Sequence, residues 1–211
     1  MPFNCKNTGA YLRTSAEALQ NAQEAYNVLN ACGFSLLAFC GVWGNVESES
    51  GYNPWRWQSD IVLPRNDPRI YYQNAHAYGL CQWDAASKYI TGGAGYLGYG
   101  PNFSDSPGLF SDGKAQLNFL DDTAVNSGQY FPNPSYPYQI SYDNYKAMTI
   151  DNYTIEYATR AWFHNYERGT WDAGRVAAAT YWFTELAGYT PHVSRPIWFY
   201  FKMKEANNPN V

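Results

Sequence analysis

Charge is scarce in this 211-residue chain: Asp, Glu, Lys and Arg make up only 15% of it, and the formal net charge is −4. No cluster of Lys or Arg occurs anywhere, so nucleic acid is not expected as a partner, because phosphate binding draws on a positive stripe that is missing here. No apolar run is long enough to cross a bilayer, and Met1 to Leu19 lacks a basic start followed by an apolar stretch. The sequence therefore predicts neither a membrane partner nor a signal peptide. Cysteine is limited to Cys5, Cys32, Cys40 and Cys81, which allow three two-bridge pairings. Cys40 sits in an apolar helical pattern and Cys81 in an apolar turn, settings where free thiols are common, with a Cys40–Cys81 bridge as the alternative. His76, His164 and His192 lack the spacing of a zinc helix and have no neighbouring acid in a ligand pattern, so no metal and no cofactor is expected. Strand-like alternation is also scarce, and no internal repeat is visible.

Aromatic residues are abundant instead: 20 Tyr, 8 Trp and 11 Phe bring their share to 18%. Such rings offer flat apolar faces on which the C–H groups of a pyranose pack, and Tyr and Trp add a polar tip. Most of them are also ordinary core material. At this length one domain can bury a sizeable core without covalent help. We expect a mainly α helical domain over residues 1–195, with long irregular loops and little sheet, followed by a tail or linker at 196–211. Helical spacing predicts a first helix from a Ser15 cap to Cys32, ended by Gly33, and a second capped by Ser35, with the stripe Leu37, Cys40, Gly41 and Gly44. These two would form a hairpin. A loop spans Tyr52 to Ala77, a short helix starts at Asp84, and a Gly-rich stretch runs from Gly92 to Gly108. Further helices are predicted over Asp112–Asn126, Thr154–Tyr166 and Asp172–Leu186, with a Pro/Tyr-rich loop at Phe131–Tyr138.

The most informative segment is Gly44-Asn45-Val46-Glu47-Ser48-Glu49-Ser50-Gly51-Tyr52-Asn53-Pro54. It puts Glu49 where a helix must stop, because Gly51, Asn53 and Pro54 do not readily extend it. The carbonyl end of the helix and the tryptophans Trp43, Trp55, Trp57 and Trp83 are expected to favour its protonated form. A carboxylic acid that keeps its proton is what glycoside hydrolysis needs as general acid. Glu47 lies about 200° away around the helix, so the two cannot face one cleft. Asp60 and Asp84 are the candidate second carboxylates, although Asp84 also suits a helix cap.

Three motifs in order extend this reading: Gly44-Asn45 with Glu49-Ser50 and Asn53-Pro54, then Tyr78-Gly79-Leu80-Cys81-Gln82-Trp83, then Tyr166-Glu167-Arg168. In this the chain resembles the phage tail-associated lysozymes, in particular the tail-knob lysozyme domains of small podoviruses, related in fold to goose-type lysozyme and soluble lytic transglycosylases. The resemblance spans roughly residues 21–186. It implies that Glu49 is the catalytic acid, with Ser50 beside it, Gln82 lining the cleft opposite, and Tyr78 and Tyr166 presenting aromatic groups to it. Trp57 and Trp83 join these as expected substrate-binding residues. Glu167 and Arg168 are expected to form a structural ion pair. Gly169 stands where related chains often carry proline.

The function implied is a muramidase-type lysozyme that cleaves β-1,4 linkages of peptidoglycan glycan strands, carried in a virion among other phage tail proteins. A lytic transglycosylase acting on the same bond, and a non-catalytic glycan-binding tail module, are the alternatives. A cysteine peptidase using Cys81 or Cys40 with His164 and Asn165 lacks the helix-borne Cys signature of such enzymes.

Overall fold

Helices account for nearly all regular structure in the computed structural model, which describes residues 3–5, 16–61, 67–74, 76–90 and 113–192. They are α1 (Ala16–Ala31), α2 (Leu36–Ser50), α3 (Ser87–Ile90), α4 (Gly113–Asn126), α5 (Tyr142–Lys146), α6 (Ile155–Trp162) and α7 (Gly174–Glu185). Among the described residues the only sheet-like pairing is two single bridges, Trp57 with Tyr78 and Tyr78 with Trp83. The mainly α reading holds. Among the same residues no helix is long and apolar enough to cross a membrane.

The centre of the molecule is α2, buried on nearly every side. Ser35 caps it, accepting a bond from the Ala38 amide at 3.1 Å, while its hydroxyl donates to the Met148 carbonyl. The far end closes at Gly51, whose φ of 57° is left-handed and whose amide donates to the Glu47 carbonyl at 2.8 Å. The two glycines of the stripe make α2 central. A Cβ on Gly41 would lie 2.6 Å from the Tyr145 hydroxyl and 2.8 Å from the Ala158 backbone. One on Gly44 would lie 2.4 Å from the Arg175 carbonyl and 2.7 Å from the Ala179 Cβ. Their missing side chains let α6 and α7 approach to backbone contact.

That approach adds to the expected pairing. Besides meeting α2 across the short turn, α1 packs more extensively on α4, and α2 packs chiefly on α6 and α7. The short helix begins at Ser87, not at Asp84, whose Oδ2 instead accepts a bond from the Asn74 amide at 2.6 Å. The Thr154–Tyr166 signal divides: Thr154 caps α6, and the chain then widens into a π turn over Phe163–Glu167. Arg168, at φ 58°, ends that turn with its amide on the Phe163 carbonyl at 2.7 Å. Likewise α7 starts at Gly174, with the Asp172 carboxylate accepting from its amide at 2.9 Å. Five-residue α5, capped by Ser141, is too short to leave a periodic signal. The Ser15 cap, the Gly92–Gly108 stretch and the tail at 196–211 lie outside the described residues.

Two of the aromatic clusters flank the candidate segments, and a third gathers Phe34, Tyr130, Tyr142, Tyr145 and Tyr166 around Trp162. Phe39, Trp43, Tyr52 and Trp182 follow one another at ring separations of 5.7, 5.2 and 5.3 Å beside α2. Trp57, Tyr78, Tyr89, Trp83 and Phe119 form the second, under α4. All four cysteines are free thiols.

Candidate active site

The spacing of Gly44-Asn45 to Glu49 has a mechanical reason. Asn45 and Glu49 are four residues apart, so their side chains lie one above the other on α2. A single guanidinium from α7 clamps both. Arg175 Nη1 donates to Asn45 Oδ1 at 3.1 Å, and Nη2 donates to Glu49 Oε1 at 2.8 Å. Asn45 Nδ2 in turn donates to the Gly41 carbonyl at 2.8 Å and the Thr159 carbonyl of α6 at 3.1 Å. The Arg175 side chain is 6% exposed and that of Glu49 22%. Glu49 is thus fixed at the helix end with part of its surface open to solvent. Glu47 turns elsewhere and accepts the Tyr52 hydroxyl at 2.8 Å, so the two glutamates do divide around the helix.

Where sequence reasoning placed tryptophans around Glu49, the structure puts a cation, and the tryptophans fall into the core: Trp43 and Trp57 are fully buried, and Trp55 and Trp83 nearly so. A second carboxyl occupies the apolar setting instead. Glu167, at the end of the π turn, accepts a bond from Trp162 Nε1 at 3.1 Å. Burial pushes its carboxyl well above the ordinary glutamate range. The neighbouring Glu49 charge pushes the same way, against the pull of the Trp162 bond, Arg175 and Arg168. The Cys81 thiol feels both carboxylates and, buried, is itself pushed far up, so it stays protonated. The expected Glu167–Arg168 pair does not form: Arg168 Nη2 donates to the Gln129 carbonyl at 3.1 Å. The cause is the left-handed turn at Arg168, which sends the two side chains to different partners.

The wall expected to carry Tyr78 and Gln82 is loop held by backbone bonds, and its Cys81 thiol lies within electrostatic reach of Glu49 and Glu167. Tyr78 and Trp83 exchange amide-to-carbonyl bonds at 3.3 and 3.0 Å. Gln82 Nε2 donates to the Arg56 carbonyl at 3.1 Å and the Gly79 carbonyl at 2.9 Å, so its amide group ties this turn to the Trp-bearing loop. Gln116 of α4 locks both from behind, accepting the Leu80 amide and donating to the Pro54 carbonyl, each at 2.7 Å. Tyr78 is fully buried, and Tyr166 stacks on Trp162 at 4.4 Å while accepting Trp83 Nε1 at 3.3 Å. Ser50 is buried with its hydroxyl on the Val46 carbonyl at 3.2 Å. A cavity of about 420 Å³ opens beside Trp83, bordered by Lys88, Phe119, Thr123, Ser127 and Gln129.

Comparison with known proteins decides the family. The model of the phage tail lysozymes matches residues 20–186. The chain belongs to the phage tail lysozyme family. It is also similar to morphogenesis protein 1 of Bacillus phage B103, at 28% identity over 189 residues, 88% of this chain and 44% of that protein. The chain therefore spans less than half the length of this curated relative.

The matched region takes in Glu49, Glu167 and Arg175 together. Asp84 holds the Asn74 amide, and the Asp60 side chain lies outside the described part of the structure. No group of His, Cys, Asp or Glu suited to a metal occurs among the described residues. His164 lies between Tyr136 at 3.9 Å and Tyr138 at 5.3 Å, stacked in a ring contact rather than set beside a thiol. Sequence reasoning missed Arg175 and Gln116. Glu167 carried a readable signal, an acid within an aromatic motif, but its partner was misassigned.

Proposed function

We propose that this chain is a peptidoglycan glycosidase of the muramidase type, with Glu49 as the residue on which cleavage depends. The family is one of peptidoglycan-degrading phage proteins, and a morphogenesis protein among the relatives fits a place in the virion beside other tail proteins. The observation that carries the reading is the Arg175 clamp, which fixes a partly exposed carboxyl at a helix end, near a second, half-buried one whose protonated form is favoured. Two carboxyl groups in contrasting environments are the equipment of glycoside hydrolysis. In the reaction the bridging oxygen takes a proton from the site as its bond to C1 breaks, and the electron pair stays with the leaving sugar. The cationic sugar faces the remaining carboxylate until water adds to C1.

Ser50 and Tyr166 brace the helix end and the π turn from within, and Trp57, Tyr78, Gln82 and Trp83 shape the facing wall. Asp60 and Asp84 remain the other candidates for a second carboxylate. A turbidity assay on purified cell walls, with native protein beside Glu49→Gln, tests the proposal. Removing the acid lowers the rate by about 10²-fold or more. Native protein that sediments with walls and releases no soluble fragment overturns catalysis in favour of glycan binding. Mass spectrometry of the product separates a hydrolysed reducing end from the internal anhydro sugar of a transglycosylase; we expect the former.

A further inference from the structure

The π turn that carries Glu167 also gathers a row of rings. His164 stacks on Tyr136 at 3.9 Å, with Tyr138 at 5.3 Å and Trp171 at 6.3 Å, and all three rings lie within 22° of the imidazole plane. Parallel planes of this kind make a shelf. Asn165, the next residue of the turn, pins the loop that brings the tyrosines. Its carbonyl accepts the Phe131 amide at 2.9 Å, its Oδ1 accepts the Asn133 amide at 3.0 Å, and its Nδ2 donates to the Tyr138 carbonyl at 3.0 Å. The inner end of the shelf meets the clamp: Trp171 packs edge-on against Phe163 at 5.1 Å, and the Phe163 ring lies 5.0 Å from the Arg175 guanidinium. Ser48, the residue before Glu49, also bonds Asp172, the residue after Trp171, at 3.4 Å. At the outer end Tyr136 is 42% exposed.

Charge along the row is balanced. Arg160 lies 4.3 Å over Trp171 but is paired with Glu156 at 2.7 Å. Burial, helped by Arg160, pushes the His164 imidazole down from its ordinary pKa, so it is uncharged at neutral pH. A pinned and uncharged row of rings selects a neutral ligand with flat C–H faces over an anion. We propose that the shelf from Trp171 to Tyr136 binds the glycan strand away from the bond being cut, with a pyranose ring stacked on Tyr136. This rests on the glycosidase reading of Glu49. Binding gathered along the shelf holds the strand in register at the clamped carboxyl, so the protein engages a polymer rather than a single linkage.

Sedimentation with purified cell walls reads the shelf without cleavage when every variant also carries Glu49→Gln. In that background Tyr136→Ala should weaken binding about three- to tenfold, the worth of one stacked ring, and Tyr136→Phe should keep it. Soluble glycan strands freed of their peptides should displace the protein from walls. With Glu49 in place, Tyr136→Ala should raise KM on walls while kcat stays within about twofold of native, because the ring lies away from the reacting bond. Unchanged wall binding in Tyr136→Ala, an equal loss in Tyr136→Phe, or displacement by free stem peptides but not by glycan strands overturns the proposal. Full lytic activity in Glu49→Gln would instead overturn the glycosidase assignment, and the binding comparison, which needs no cleavage, tells the two failures apart.

Discussion

The two walls of the site are built in opposite ways. On one, Glu49, Asn45, Arg175 and Glu167 stand on α2, α7 and a π turn continuous with α6, brought to backbone contact by Gly41 and Gly44. On the other, Tyr78 to Trp83 and the loop from Tyr52 form no long helix and are held by backbone bonds and by Gln116. The helical wall has little freedom because close-packed interiors resist displacement. The loop wall takes its shape from a few hydrogen bonds, and its rings point inward. The comparison teaches that the candidate catalytic groups lie where packing fixes geometry, and that the aromatic motif is mainly scaffold.

The sharpest way to break this contrast is Arg175→Met, which keeps the volume and removes the charge from the helical wall. Loss of one member of a buried ion pair costs about 3–5 kcal/mol. Partial exposure of Glu49 lets solvent reach it and puts the expected cost near the lower end. Chemical denaturation measures it, and wall lysis should fall at least tenfold even where the variant is fully folded. A variant that is folded and fully active would show that packing alone holds Glu49.

On the loop wall the corresponding change is Gln116→Ala, which leaves the buried Leu80 amide and Pro54 carbonyl without this partner. An unsatisfied buried group costs about 1–3 kcal/mol. We expect a loss of about 2–3 kcal/mol by denaturation, with KM for walls rising more than kcat falls. A pure kcat effect would place Gln116's influence on the helical wall instead.

The same division explains what the sequence made legible. Asn45 and Glu49 share one helix face at local spacing, and the glycine stripe sits on the same helix, so a short motif records them. Arg175 reaches Asn45 across 130 residues and Glu49 across 126, and Gln116 reaches Leu80 and Pro54 across 36 and 62. No periodicity marks such partners. Arg175 reads as one more polar residue at the start of a helix, yet it is 5% exposed and inverts the environment expected for Glu49. The tryptophans were visible as a class, but ring direction is set by packing between distant segments. Glu167 and Arg168 look like an adjacent ion pair until the π turn and the left-handed residue separate them. In both cases the unreadable part is backbone geometry that the interior imposes.

The mildest change acts at the other end of α2. Ser35→Ala removes the cap on the Ala38 amide and the bond to the Met148 carbonyl, for a loss of about 1–2 kcal/mol. Fourteen residues before Glu49, it weakens the helix without touching the Arg175 clamp. Its denaturation midpoint should drop while the rate of wall lysis at a temperature well below unfolding stays within about twofold of native, since surviving folded molecules keep the same site. Compared with Arg175→Met, this separates loss of stability from loss of geometry on one helix. If Ser35→Ala loses lysis as steeply as Arg175→Met, then α2 transmits strain along its length, and the rigidity of the helical wall belongs to the whole helix rather than to the clamp.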